Sequence, residues 1–328
     1  MARGPGYAEQ GGRHSARPPA ARRKAMLVVT TSCLVVAAVT LAGLLLRGPG
    51  ARSPRSGAAP GTGRTSPARQ LQATAAARVP PRHRDPLAEA AASYISSRAG
   101  TVVAAVYDTT TGQTWRLGRG RPQAEASVVK LDVLETLLAQ RGGSRSGLPA
   151  ADQGLAQEMI EDSDNAAATS LWDAVGGAAG IRAFNALAGL AGTSPSSCVQ
   201  CPGFPWPGWG LTTTTPTDQL SLLRELVEPN ALLTGTERSY ALSLMENVTP
   251  AQRWGISGGV PRQVSVALKN GWLPLNSTDS DWQINSIGRI SGRGRNYLMA
   301  VLTSGDPSEQ YGIDTIDGLG AIVWKGMR

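Results

Sequence analysis

Histidine occurs only twice in 328 residues, as His14 and His83, and both lie outside the segment that reads as folded. That scarcity excludes a Ser-His-Asp triad, a Cys-His dyad and His-ligated zinc together. Lysine is nearly as rare: of 32 basic residues only Lys24, Lys130, Lys269 and Lys325 are lysine. Arginine keeps its proton under all ordinary conditions, so a lysine retained in such a chain points to proton transfer or to a compact point charge. Cysteine is limited to three residues, and nothing in the pattern calls for a metal or a cofactor.

Acids are missing from the beginning of the chain. Residues 1–84 carry 14 basic side chains and one acid, Glu9, whereas the rest carries 18 basic and 23 acidic ones. The formal charge of +8 therefore belongs to the N-terminal appendage, and nucleic acid is not an expected partner of the body. Residues 25–46 run for 22 positions without a charge or a proline, enough at ~1.5 Å per residue to cross a ~30 Å hydrocarbon core. Arg22, Arg23 and Lys24 precede the run, as a cytoplasmic N-terminus requires. A signal peptide is the alternative, but its apolar stretch is usually shorter. On this reading residues 1–24 are a basic cytoplasmic tail and 25–46 are a single-pass membrane anchor. Residues 47–84, rich in Gly, Pro and Arg, form a flexible linker, and 85–328 are an extracytoplasmic domain.

Within that domain, 87–97 reads as a helix, and Thr101–Asp108 and 113–117 read as strands of a hairpin. A helical stretch comes next, with segments at 128–140, 151–161, 166–175, 180–190, 217–227 and 235–247. Strand patterns return at 263–269, 282–290 and 296–304, before a last helix at 313–324. Strands at both ends with helices between them predict an α+β fold, with one sheet built from the two termini.

Three short motifs could carry chemistry. Ala-Ser-Val-Val-Lys places Ser127 at a helix start and Lys130 one turn on. Ser127 is then either an ordinary N-cap or a nucleophile whose proton a desolvated lysine takes. Ser163-Asp164-Asn165 opens another helix and is either its capping cluster or a proton relay beside an amide donor. Lys269-Asn270-Gly271 closes a strand, as a turn or as a carboxylate-holding ammonium next to a glycine that lets a substrate approach. Cys198 and Cys201 form a Cys-x-x-Cys with no second pair or nearby histidine, which reads as a disulfide. Trp206 and Trp209 in the same loop either line a groove or, the favoured reading, pack the loop.

In this order the motifs SxxK, SDN and K-x-G resemble the signature of the class A β-lactamases and penicillin-binding proteins. The likeness extends from Asp85 to the C-terminus through Val-Tyr-Asp-Thr-Thr-Thr-Gly, Glu-Asp-Ser-Asp-Asn-Ala-Ala-Ala, Gly-Gly-Ala-Ala-Gly-Ile and Thr213-Thr214-Thr215-Pro216. It implies a five-stranded antiparallel sheet flanked by helices, with a helical subdomain carrying the second motif. Ser127 would be the acylated nucleophile, Lys130 its base, and Ser163 and Lys269 the proton-transferring and carboxylate-holding groups. Asn165, Asn270, Gly271 and Trp272 would bind substrate, with an oxyanion hole from the backbone N–H groups of Ser127 and Trp272. The implied substrates are β-lactams or the D-alanyl peptide ends of the cell wall.

The chain departs from that family in one telling way. Class A enzymes release the acyl group with water activated by an Ω-loop glutamate, yet no Asp or Glu occurs from Ala174 to Thr217. Asn270 also replaces the usual Ser or Thr, and the stretch between Lys130 and Ser163 is short. Ready acylation with slow release is therefore expected, as in a penicillin-binding or carboxypeptidase-like protein. A non-catalytic sensor of cell-wall peptide is the rival from another class. Arg289 and Arg293 are candidates for further carboxylate contacts.

Overall fold

The computed structural model describes residues 83–327 apart from 142–146, 203, 205–206 and 276–279. The expected membrane span 25–46, the tail 1–24 and nearly all of the linker 47–84 lie outside the described residues. Among those described, no helix is long and apolar enough to cross a membrane.

The two ends of the domain do build one sheet. Strands β1 (Thr101–Asp108) and β2 (Thr114–Leu117) form the N-terminal hairpin. After the short strands β3 (Gln123–Ala124) and β4 (Thr213–Thr214), which pair with each other, come β5 (Ser265–Pro274), β6 (Trp282–Gly292) and β7 (Arg295–Asp306). The main sheet is antiparallel in the order β2-β1-β7-β6-β5, which leaves β5 at an edge. Both faces are covered, so β1 reads as nearly continuous apolar sequence rather than alternation. Val102, Ala104 and Val106 pack with α1 (Glu89–Ser96) and α8 (Glu309–Gly326), through Ala91, Leu319 and Val323. Ala105, Tyr107, Leu298 and Ala300 point the other way, into the inserted helices.

Those helices are α2 (Val129–Arg141), α3 (Ala150–Glu161), α4 (Asn165–Ala174), α5 (Gly177–Ala188), α6 (Pro216–Val227) and α7 (Gly235–Glu246). Their starts are locally encoded. Thr215 and Thr234 accept from the N–H groups of Asp218 and Glu237, and Glu237 closes a capping box. One expectation at a boundary is corrected: Lys269-Asn270-Gly271 does not close a strand. The ladder runs on through Asn270↔Ser286 and Gly271↔Asn285, because cross-strand pairing outweighs the turn preference of Asn-Gly. His83 is also tied to the body, its Nδ1 lying 2.6 Å from Asp108 Oδ2 at the end of β1.

Helix α2 is buried almost all round, Leu131, Leu134 and Leu137 having no solvent exposure. It nevertheless carries Lys130, Asp132 and Glu135 into the interior. Asp132 Oδ2 accepts from Asn185 Nδ2 at 2.9 Å, whereas neither carboxylate oxygen of Glu135, nor of Glu125 just before the helix, has a hydrogen-bond partner among the described residues. Burial, reinforced by neighbouring acids, pushes Glu125 and Glu135 well above the usual carboxylate range. Burial also raises Asp132 to about 7. These groups hold protons in the fold that the unfolded chain has lost, so their contribution to stability is complete at low pH. For Asp132 it is lost as pH rises from its ordinary value of 3.8 to about 7. Glu135→Gln keeps the shape of the protonated acid and removes its titration. The variant should unfold at a higher temperature than the parent at pH 8 and at nearly the same temperature at pH 5. An equal difference at both values would contradict the assignment.

Candidate active site

Ser127 lies two residues before α2 in a turn whose backbone is strained. Ala126 has φ +58°, and the Ser127 N–H donates across it to Glu125 O at 2.8 Å, as in the rarer, strained sign of γ-turn. The carbonyl of Ser127 accepts the Lys130 N–H at 3.2 Å, which starts the helix. Among the described residues no backbone N–H donates to Ser127 Oγ, so the hydroxyl does not cap α2. It faces a cavity of about 210 Å³ lined by Ser127, Ser163, Asn165, Trp209, Gln252 and Trp272 among others.

The second motif separates capping from chemistry. Asp164 caps α4 by accepting from the Ala167 N–H at 2.7 Å, which leaves its neighbours free. Ser163 is held at φ +59°, a conformation uncommon for a residue with a Cβ, and its hydroxyl is aimed between two lysines. Ser163 Oγ is 3.0 Å from Lys130 Nζ and 2.9 Å from Lys269 Nζ. Lys130 Nζ also donates to Ser163 O at 2.5 Å and to Asn165 Oδ1 at 2.8 Å. Asn165, its side-chain oxygen engaged in this way, also lines the cavity.

Both lysines are fully buried. Burial lowers Lys130 to about 7, opposed by the nearby Asp164 carboxylate. Burial first, and the charge of Lys130 second, hold Lys269 well below the ordinary lysine range. A lysine that is in good part neutral near pH 7 can take a proton, and a hydroxyl between two amines can donate to one while it accepts from the other.

Strand β5 brings Lys269 to this point from the sheet edge, and Gly271 lets the edge approach. A Cβ on Gly271 would stand 2.6 Å from Ser127 N and 2.7 Å from Glu125 O, so no larger residue fits. Trp272 lines the cavity and meets Trp254 edge-on, with ring centroids 5.9 Å apart. Asn270 does not join them. Its side chain lies on the other side of the strand, 1% exposed, donating to the carbonyls of Gln252 at 2.7 Å and Trp254 at 3.2 Å. It props the loop that carries Gln252. The Ser127 N–H is likewise occupied by Glu125 O. Arg289 and Arg293 lie toward the far end of the sheet, bonded to Asn296 and Gln263.

Trp209 occupies the loop that lacks acids. Its buried ring lies over Lys130, with Nζ 5.1 Å from the centroid, and its indole N–H donates to Thr169 Oγ1 at 3.1 Å. It both packs the loop and walls the cavity, so the two readings of this residue are not exclusive. Trp206 lies outside the described residues. Cys198 and Cys201 are disulfide-bonded. Among the described residues, no group of three His, Cys, Asp or Glu side chains is arranged to hold a metal ion. Gln252 is a site residue that sequence reasoning misses: it lines the cavity with Asp162, to whose carbonyl its Nε2 donates at 3.0 Å, and nothing in Pro-Ala-Gln-Arg signals it.

The chain and its fold are similar to known proteins. The chain resembles "Putative lipoprotein LppW" of Mycobacterium tuberculosis and of Mycobacterium bovis, with 28% identity over 207 residues, 61% of this chain and 62% of theirs. It thus spans about three fifths of the length of those relatives. Among solved structures, an ancestral class A β-lactamase of Gram-negative bacteria matches with TM-score 0.61 and 22% identity, over 73% of this chain and 99% of that one. The class A β-lactamase of Mycobacterium abscessus gives 0.59 and 23%, over 71% and 96%. The class A representative from Bacteroides cellulosilyticus gives 0.63 and 16%, over 74% and 99%. These likenesses fix the fold as β-lactamase-like. The model of the beta-lactamase enzyme family matches residues 144–327, from beyond Lys130 through the second and third motifs. The chain belongs to the beta-lactamase enzyme family.

Proposed function

We propose that this protein is a membrane-tethered, extracytoplasmic serine hydrolase that forms an acyl-enzyme on Ser127 with β-lactams or the D-alanyl peptides they resemble. The observation that carries the proposal is the Ser163 hydroxyl held between Lys130 and Lys269 at the wall of the cavity containing Ser127. Ser127 Oγ attacks the amide carbonyl, and its proton passes to the neutral Lys130. The C–N bond breaks, Ser163 gives its proton to the departing nitrogen, and Lys130 replaces it. The circuit ends with both lysines as they began and an ester on Ser127. Lys269 Nζ offers N–H donors to a substrate carboxylate, Asn165 donates to the acyl amide, and Gly271 brings the strand edge alongside.

Slow release is favoured over rapid turnover. The loop beside Lys130 offers an indole where a carboxylate would be needed to activate water, and no acid occurs from Ala174 to Thr217. Tethering rests on the apolar run 25–46 and on the lipoprotein name of the relatives.

Incubation of the full chain with a fluorescent penicillin should give a label that survives denaturation and is absent from Ser127→Ala, together with little turnover of a chromogenic β-lactam. No label on the parent would overturn the proposal. Because Lys130 must be unprotonated to act, the acylation rate should climb about tenfold per pH unit below about 7 and flatten above it. Lys130→Arg, which cannot give up its proton, should slow acylation on the order of 10²–10⁴-fold at every pH. Gly271→Ala forces the edge away from Ser127 and should slow acylation at least tenfold, with about 1–3 kcal/mol of lost stability. A Gly271→Ala protein acylated at the parent rate would show that the close approach is not needed.

A further inference from the structure

The acid-free loop meets the site through one short stretch of chain, the single 3₁₀ turn Gly208–Leu211. The carbonyl of Gly210 accepts the Ala126 N–H at 2.9 Å, and that of Thr212 accepts the Glu125 N–H at 2.7 Å. These bonds seat the strained turn that carries Ser127. Between them Trp209 lies over Lys130, with Nζ 5.1 Å from the ring centroid. The other groups around Lys130 come from elsewhere: Ser163, Asp164 and Asn165 at the start of α4, and Lys269 on β5.

The far side of the same stretch rests on the disulfide. The Gly208 N–H donates to Val199 O at 3.1 Å. A Cβ on Gly208 would stand 1.8 Å from Cys198 O and 3.1 Å from Cys201 Sγ, so its backbone sits directly against the ring that the cysteines close. Only Val199 and Gln200 separate the two cysteines. Closing so small a ring removes far less entropy from the unfolded chain than closing a long loop, so the bond acts locally rather than on the whole fold. Solvent can also reach it: both cysteines are partly exposed, Gln200 and Pro202 are exposed, and Val199 is 70% exposed.

We propose that the Cys198–Cys201 bond is a redox switch on the acylation site, which an external dithiol opens and thereby slows acylation of Ser127. One thiolate of the dithiol attacks a sulfur of the bond, and the other cysteine leaves as a thiolate. The second thiol of the reductant then displaces the cysteine to which the reductant is joined. Two electrons pass to the protein, each cysteine ends with a proton, and the dithiol ends as a disulfide. Without the ring Gly208 loses its seat, and the adjoining indole moves off Lys130. Water then reaches the amine, favours its charged form and withdraws the base near pH 7. The inference rests on acylation of Ser127 as proposed above.

For the test, the full chain is reduced with dithiothreitol and freed of the reagent. Alkylation read by intact mass confirms two thiols beyond that of Cys33. Labelling by a fluorescent penicillin should slow about fivefold at pH 7, and the Lys130 NMR signal should turn over about one pH unit higher than in the oxidised chain. The gap in rate should narrow above about pH 9, which a merely misplaced wall would not produce. Reoxidation should restore both values. The variant carrying Cys198→Ser and Cys201→Ser should match the reduced chain and ignore the dithiol. Confirmed reduction that leaves the rate and the Lys130 midpoint unchanged would overturn the switch and leave acylation standing. A response of the double variant to the dithiol would also overturn it, by placing the effect at Cys33. A Lys130 midpoint that moves in a chain labelled in neither state would overturn acylation and keep the tie between loop and lysine.

Discussion

One hydroxyl shared by two buried lysines organises this molecule. The nitrogens of Lys130 and Lys269 lie within 3.0 and 2.9 Å of Ser163 Oγ, so they are at most about 6 Å apart. Two full charges at that separation would repel by on the order of 3 kcal/mol at an effective dielectric of ~20, before any cost of desolvation. The pressure that lowers their proton affinity is also what would suit them to carry protons in the proposed reaction. The surrounding construction serves this arrangement. Helix α2 is buried so that Lys130 is dry, and Asp164 takes over capping so that Ser163 is free. Strand β5 stays at the sheet edge so that Lys269 can reach across, and Gly271 lets it come within contact of the turn bearing Ser127.

In the proposed reaction, the loop between α5 and α6 is what would govern release of the acyl group. A carboxylate beside Lys130 would stabilise its charged form and could also activate water. An indole over Lys130 Nζ does neither so strongly. The loop is held by its disulfide and by the Trp209–Thr169 hydrogen bond, devices that need no charge. The acid-free loop therefore presents a neutral surface beside Ser127.

Much of this was legible in the sequence, for identifiable reasons. The scarcity of lysine and histidine isolates Lys130 and Lys269 without any knowledge of the fold. The period of apolar residues locates the inserted helices to within a few positions, and the terminal strand patterns predict the sheet that forms. What the sequence does not disclose depends on contacts between distant segments. Which side of β5 Asn270 faces is set by strand register, and Asn-Gly carries a local turn preference that the ladder overrides. Gln252 reaches Asp162 over 90 residues of separation, from a segment with no periodicity. Trp209 invites a choice between packing and lining, and in a thin wall it does both. His83 reads as part of the linker because Pro- and Arg-rich sequence continues up to it, yet Asp108 fixes it to the body.

Proton exchange between the two buried lysines, as proposed, is directly measurable because lysine is rare in this chain. With lysine labelled at the side chain with ¹³C and ¹⁵N, the full chain holds only four labelled residues, two of them in the site. A pH titration followed by NMR should show the Lys130 signal turning over near pH 7, while Lys269 stays neutral far below the ordinary lysine range. Titration of all four near the ordinary value of about 10.4 would contradict the account.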